Sequence, residues 1–320
     1  MKYGYYPGCS MEKNARAYHD STMAVAKPLG IEFVEVEDWN CCGATEYMSI
    51  EKVPAYALIS RNLALAANQN GSTNLVAPCS ACYLNLKKTD HYLAENPKLK
   101  KKVDSALDAG GLSYQPGSLN VQHLLETIAV DIGYQAVEEQ VKRPLYNLRV
   151  APYYGCLVPR PASMERFDDP EHPTSMDRVL QSLGATVIDY PLKAQCCGGH
   201  MTQISEDTAL ELLRRLLKNA ADYEADLIAT LCPMCQLNLD AYQDAVNAHF
   251  GTDYQIPVVY FTQLMGLAFG IPASELGFGK EIVSASPALE KITVDPPKPA
   301  RARRRGKETG LPTPTITEEG

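Results

Sequence analysis

The 320-residue sequence contains no run of eighteen apolar residues, so a membrane-spanning helix is not expected. Its opening, MKYGYYPGCS, lacks the apolar core of a secretory leader, and the expected location is cytoplasmic. The body of the protein, ahead of the tail, lacks a basic stripe as well. Against 38 Asp and Glu stand 30 Lys and Arg, a net charge of −8, which argues against nucleic acid as a partner. No GxGxxG follows a predicted strand, so neither flavin nor nicotinamide is expected and electrons have to come from partner proteins. Five of the six histidines, His19, His91, His123, His172 and His249, are scattered without the spacing of metal ligands.

Cysteine, by contrast, is plentiful. Ten cysteines in a reducing compartment point to metal binding or redox chemistry rather than to a disulfide framework. They fall at Cys9, Cys41, Cys42, Cys79 and Cys82, then again at Cys156, Cys196, Cys197, Cys232 and Cys235. The first set reads C-x31-CC-x36-CxxC and the second C-x39-CC-x34-CxxC. Neighbouring words recur too: NCCGATE against QCCGGHM, and CSACYLNL against CPMCQLNL. Repetition at so long a period predicts an internal duplication.

Within each copy, short apolar or alternating runs such as KYGYYPG, IEFVEVEDW and TNLVAP alternate with helical spacing such as AYHDSTMAVAKPL and PAYALISRNLALAANQN. The expected fold class is therefore α/β, with two similar domains, each a small parallel sheet flanked by helices. The first domain is expected over 1–145, including connecting helices from about residue 96 onward, and the second over 146–293. Residues 294–320, rich in proline and charge, are expected to be a disordered tail.

This layout puts every cysteine just past the C-terminal end of a strand, where open α/β sheets hold their ligands. Gly8 and Gly155 before the isolated cysteines, and Gly43 and Gly198 after the pairs, allow the backbone to turn sharply and approach a bulky inorganic group. Each CxxC sits at a strand-to-helix turn whose first N–H groups face the thiolates. A structural zinc is the simpler reading of CxxC, but zinc takes four ligands and each half offers five, two of them adjacent. Five thiolates suit a polynuclear iron–sulfur group. One cluster plus one zinc is the alternative composition.

The twice-written five-cysteine pattern resembles that of the CCG cysteine-rich proteins, and residues 1 to about 293 resemble the HdrB-like family of heterodisulfide reductase subunits. The words MKY, YGC, CCG, CxxCY and QLMGLAFG carry the likeness. The resemblance implies two noncubane [4Fe–4S] clusters. Cys9, Cys41, Cys42, Cys79 and Cys82 would hold one; Cys156, Cys196, Cys197, Cys232 and Cys235 the other. It also implies a cavity between the halves, where a disulfide is split. The implied electron suppliers are a ferredoxin-like (HdrC-like) subunit and a flavoprotein (HdrA-like) subunit, and the bacterial branch extends the substrates to other thiols and sulfur carriers. A second implied role is that of an electron-transfer subunit in a succinate or fumarate reductase-like complex.

Two residues depart from the pattern of the methanogen proteins. Tyr153 stands in YYGC, where those proteins carry HYGC, and His200 stands in GGHMTQ, where they have a glycine-rich run. Both are candidate proton donors beside the second site. The other reading of His200 is a turn cap, and of the pairs Tyr5/Tyr6 and Tyr153/Tyr154, half-buried strand residues.

Overall fold

The computed structural model describes residues 1–44, 47–69, 73–160 and 167–296. The expected disordered tail lies outside the described residues from position 297 onward.

The first half runs β1 (Lys2–Tyr5), α1 (Cys9–Glu12), α2 (Arg16–Ala26), β2 (Glu32–Glu35), α3 (Tyr47–Ile50), α4 (Lys52–Asn68), β3 (Asn74–Ala77) and α5 (Ser80–Glu95). It continues through α6 (Pro97–Asp108), β4 (Asn120–His123), α7 (Leu124–Glu126), a π-helical stretch Thr127–Ile132 and α8 (Tyr134–Glu139). The second half runs β5 (Arg149–Tyr153), α9 (Ser175–Ser182), β6 (Thr186–Val187), α10 (Met201–Ile204), α11 (Glu206–Asp222) and β7 (Leu227–Thr230). Then follow α12 (Pro233–Ala241), α13 (Gln243–Phe250), β8 (Val258–Tyr260), α14 (Phe261–Ala268) and α15 (Ser286–Leu289).

Each half builds one four-stranded sheet, and every pairing is parallel. The strand orders are β2-β1-β3-β4 and β6-β5-β7-β8, the same topology twice. In both, the chain leaves the first strand for one neighbour and returns to its other side. The C-terminal ends of β1 and β3, and of β5 and β7, are therefore the switch points at which such sheets bind ligands. The inner strands are apolar on both faces, as a parallel sheet covered by helices requires: Leu75, Val76 and Ala77 in β3 and all four residues of β7 are buried.

The fold corrects one expectation. Residues 96–145 are more than connecting helices, because Asn120–His123 forms β4, the fourth strand of the first sheet, registered Leu75 to Val121 and Val76 to Gln122. It is the counterpart of β8, which the apolar run before QLMGLAFG does announce. In this segment α6 packs on α4 and α5 of its own half, and β4 packs on α5 as well. α7, the π-helical stretch and α8 instead pack on α9 of the second half, where the Arg178 guanidinium lies 3.9 Å from the Tyr134 ring centre. Reciprocally, α14 of the second half packs on α2 of the first. There Tyr18 and Tyr260 stack with ring centres 4.3 Å apart, and the hydroxyls of Ser21 and Thr262 lie 2.7 Å from each other.

His123 closes β4 and caps the following helix. Its Nδ1 accepts the Leu125 N–H at 3.1 Å, which places the ring proton on Nε2. Burial lowers its pKa to about 3, although the carbonyls of Pro78 and Leu231 favour the charged form. The unfolded chain takes up this proton near pH 6.5 and the folded chain only near pH 3, so stability is lost as pH falls through that window. From this group alone the loss at pH 5 is about 2 kcal/mol. Urea melts at pH 7 and pH 5 should therefore differ by that much less in His123→Gln than in the wild type.

Candidate functional site

In both halves the three cysteine-bearing loops converge at the C-terminal edge of the sheet. The isolated cysteine follows the first strand, the adjacent pair follows the second, and CxxC opens the helix after the third, with Cys79 and Cys232 at the N-caps of α5 and α12. All ten thiols are free. In the first half Cys9 and Cys41 sulfurs are 3.7 Å apart and those of Cys42 and Cys82 3.3 Å; in the second, Cys197 and Cys235 are 3.6 Å apart.

Two tethers, written once per half, hold the loops. Tyr6 Oη donates to the carbonyl of Asn40 at 2.6 Å, and Tyr153 Oη to that of Gln195 at 2.8 Å. Each tyrosine precedes its isolated cysteine by three positions, and each carbonyl belongs to the residue just before the cysteine pair. The second tether is an asparagine. Asn85 Nδ2 donates to the carbonyls of Cys42 and Ala44, and Asn238 Nδ2 to those of Cys197 (3.4 Å) and Gly199 (2.7 Å). Sequence reasoning missed both asparagines, although the signal was present as the repeated LNL after each CxxC.

Glycine is required where the first loop crosses the CxxC helix. Gly8 has φ +73°, and a Cβ there would stand 2.7 Å from Cys82 Sγ; Gly155 has φ +66°, with its Cβ position 2.9 Å from Cys235 Sγ. Both the left-handed backbone and the contact forbid a side chain.

Hydrogen bonding divides the thiols into acidic and reluctant ones. Bonds from the thiols of Cys42 and Cys9 hold Cys41 down to about 2, while Cys9 itself is pushed well above the ordinary thiol range by the same partner. Its hydrogen bond to Cys156 holds Cys196 down to about 6, and a bond from Cys235 is the main cause that brings Cys232 to about 7. Each half thus presents thiolate, the ligand form of cysteine, near neutral pH. Among the described residues no three Cys, His, Asp or Glu side chains gather at the spacing of a single metal ion. Five sulfurs on three loops, under a glycine that leaves no Cβ above them, fit a larger, thiolate-bound iron–sulfur group.

A cavity of about 290 Å³ opens at the second site. Cys156, Cys196, Cys197, Cys232 and Cys235 all border it, and the first half contributes Ala44, Ser80 and Ala81. Leu157, Met201, Ile204 and Met234 make its wall apolar, and none of its lining residues is Lys, Arg, Asp or Glu. Of the two proton-donor candidates, His200 borders this cavity. Tyr153 does not; its ring is fully buried and its hydroxyl is committed to Gln195, while the next residue, Tyr154, faces the cavity as strand alternation dictates. Tyr154 Oη bonds Asp177, which is itself paired with the buried Lys193 Nζ at 2.8 Å.

The cysteine-rich domain family matches this chain twice, over residues 3–87 and 150–240. The chain belongs to the CCG cysteine-rich family. Each match spans one five-cysteine site, so the family repeat and the structural repeat coincide. The 8-methylmenaquinol:fumarate reductase membrane anchor subunit of Wolinella succinogenes is 34% identical over 285 residues, 89% of this chain and 98% of that one. The HdrB subunit of the ferredoxin:CoB-CoM heterodisulfide reductase of Methanosarcina mazei is 31% identical over 294 residues, 91% of this chain and 97% of that one. This CCG protein is thus related over nearly its whole length to subunits of oxidoreductase complexes. A hypothetical protein of Helicobacter pylori shares the fold, with a TM-score of 0.68 over 88% of this chain and 52% of its own, at 15% identity. Among the described residues no helix of this CCG protein is long and apolar enough to cross a membrane.

Proposed function

We propose that this chain is the iron–sulfur catalytic subunit, HdrB-like, of a heterodisulfide reductase-like complex in the cytoplasm, working on a disulfide, thiol or sulfur-carrier substrate. The observation that carries this reading is the cavity: it is bordered by all five cysteines of the second site and by the CxxC loop of the first. Cys9, Cys41, Cys42, Cys79 and Cys82 would hold one noncubane [4Fe–4S] cluster, and Cys156, Cys196, Cys197, Cys232 and Cys235 the other. When bound, these groups supply single electrons and iron atoms with affinity for sulfur. Cleaving R–S–S–R′ consumes two electrons and yields two thiolates, which gives a chemical reason for a duplicated site. The apolar wall would lower the local polarity around the substrate sulfurs, and His200, which borders the cavity, would hand a proton to a departing thiolate. HdrC-like and HdrA-like subunits would deliver the electrons.

The test is metal content and spectroscopy on the purified complex. About eight irons and no zinc per chain are expected, with a low-temperature EPR signal that changes when thiol is added under oxidising conditions. Cys156→Ser should remove the second site's signal together with turnover; retention of both would refute the assignment. Zinc in place of half the iron would instead support one cluster plus one zinc.

A second reading is favoured by the 34% identity to the fumarate reductase subunit and by the absence of Lys, Arg, Asp and Glu from the cavity wall. In it the chain passes electrons in a succinate or fumarate reductase-like complex. Reduction of the iron–sulfur signals by a menaquinol analogue, with no response to thiol or disulfide, would select it.

A further inference from the structure

The halves repeat their cysteines but not the residues beside them. Aligning the copies on their cysteines sets Ser10 opposite Leu157, Ser80 opposite Pro233 and Ala81 opposite Met234, and at each position the second half carries the less polar or the bulkier residue. Leu157 and Met234 border the cavity at the second site, while Ser80 and Ala81 border it from the first half. The Ser80 hydroxyl donates to the carbonyl of Leu231 at 3.5 Å, and that of Tyr154 donates to Asp177, two partners that do not line the cavity. Beyond these hydroxyls and the cysteines, His200 completes the polar side chains of the lining among the described residues.

The outer rim of the first site is of the opposite character. It is a groove where Glu12, Glu35, Glu37 and Asp38 flank Cys9 and Cys41. An apolar lining is therefore particular to the second copy and does not come with the five-cysteine repeat. Its side chains are also incompletely covered: Leu157, Met201 and Met234 are half-buried, and Ile204 is 73% exposed. Apolar surface left open in this way is surface that a ligand can remove from water. An ionised group carried into the same lining would lose its hydration and meet no Lys, Arg, Asp or Glu among the described residues, a large cost for an unpaired charge. A hydrocarbon skeleton gains there instead, since each methylene taken up strengthens binding about fourfold.

We propose that the second site takes a small thiol or disulfide whose sulfur is carried on an uncharged, apolar carbon skeleton, and that Leu157, Met201, Ile204 and Met234 set this preference. The inference rests on the reading that the cavity receives a sulfur substrate, and it names the class. Thiols and disulfides with a carboxylate, sulfonate or phosphate close to the sulfur are poor ligands of this site. Part of the roughly 290 Å³ would be filled by the iron–sulfur group that the five cysteines hold, so the skeleton admitted is short. Two of the four side chains are methionines, whose unbranched chains adapt to skeletons of different shape, so the selection is by polarity more than by outline.

A pair of thiols with one heavy-atom skeleton and different charge, 3-methyl-1-butanethiol and 3-mercaptopropionate, tests this. Each is titrated into the purified, oxidised complex, and the low-temperature EPR signal that Cys156→Ser removes reports binding at the second site. The apolar thiol should reach half-saturation at a concentration at least about tenfold lower than the carboxylate. Ile204→Lys puts a cation at an exposed position of the lining; it should strengthen the carboxylate by up to about fivefold and leave the iron content unchanged. Equal affinities for the two thiols, or a tighter carboxylate, would overturn the substrate class and leave the sulfur-substrate reading standing, because the signal would still have answered to thiol. An Ile204→Lys complex that binds both thiols as the wild type does would place their binding away from this lining and overturn the proposal as well. A wild-type signal that responds to neither thiol would overturn both readings together.

Discussion

Gly155→Ala is expected to empty the second five-cysteine site, with iron falling from about eight to about four per chain and the second EPR signal disappearing. The added methyl would stand 2.9 Å from Cys235 Sγ, and Gly155 holds φ +66°. The left-handed backbone alone costs an alanine about 1 kcal/mol. That cost is small beside the steric effect, because the sulfur the methyl displaces is a proposed ligand. The loop cannot yield, since the Gly155 and Tyr154 N–H groups are bonded to the Lys193 carbonyl at 3.1 and 2.9 Å. Gly8→Ala is the matched experiment for the first half, with its Cβ position 2.7 Å from Cys82 Sγ. Iron analysis of both variants checks the expectation; full iron in either would show that the isolated-cysteine loop is not clamped over its CxxC helix.

Asn238→Leu is expected to give the next largest effect. The residue is 2% exposed and its amide bridges the Cys197 and Gly199 carbonyls, so leucine leaves the buried Cys197 carbonyl and the half-buried Gly199 carbonyl without this donor. The loss is about 2–3 kcal/mol of stability. Because those carbonyls belong to the loop that carries Cys196 and Cys197, the same change should make the second site lose iron to a chelator faster than the first. Asn85→Leu should reverse that order. Equal rates in the two variants would mean that the asparagines stabilise the fold without holding the loops.

The candidate site was far more legible in the sequence than the packing of the halves. Cysteines past the ends of β1, β2, β3 and their counterparts could be placed because a parallel α/β alternation has only one edge for such loops. β4 was harder to see: Asn120–His123 contains one aliphatic residue, Val121, amid polar neighbours, whereas its counterpart Val258–Tyr260 is apolar throughout. Laying the two copies side by side beyond their cysteines would have revealed it, since each strand runs straight into a helix, at Leu124 and at Phe261. The contacts of Tyr153 and Ser80 could not be read at all. Whether a tyrosine hydroxyl reaches a carbonyl 42 residues away, or a serine reaches the other half, depends on how the loops and sheets face each other.

The exchanged packing, with α14 seated on α2 and α8 on α9, gives the molecule the contact plan of a two-fold homodimer built from a single polypeptide. Each repeat covers a flank of its sister, so each takes part of its shelter from the other. Fusion of the two copies removes the concentration dependence that a dimer would have, and it frees each copy to diverge. Serine opposite proline and a carboxylate groove opposite an apolar cavity are differences that identical subunits related by an exact two-fold axis cannot carry.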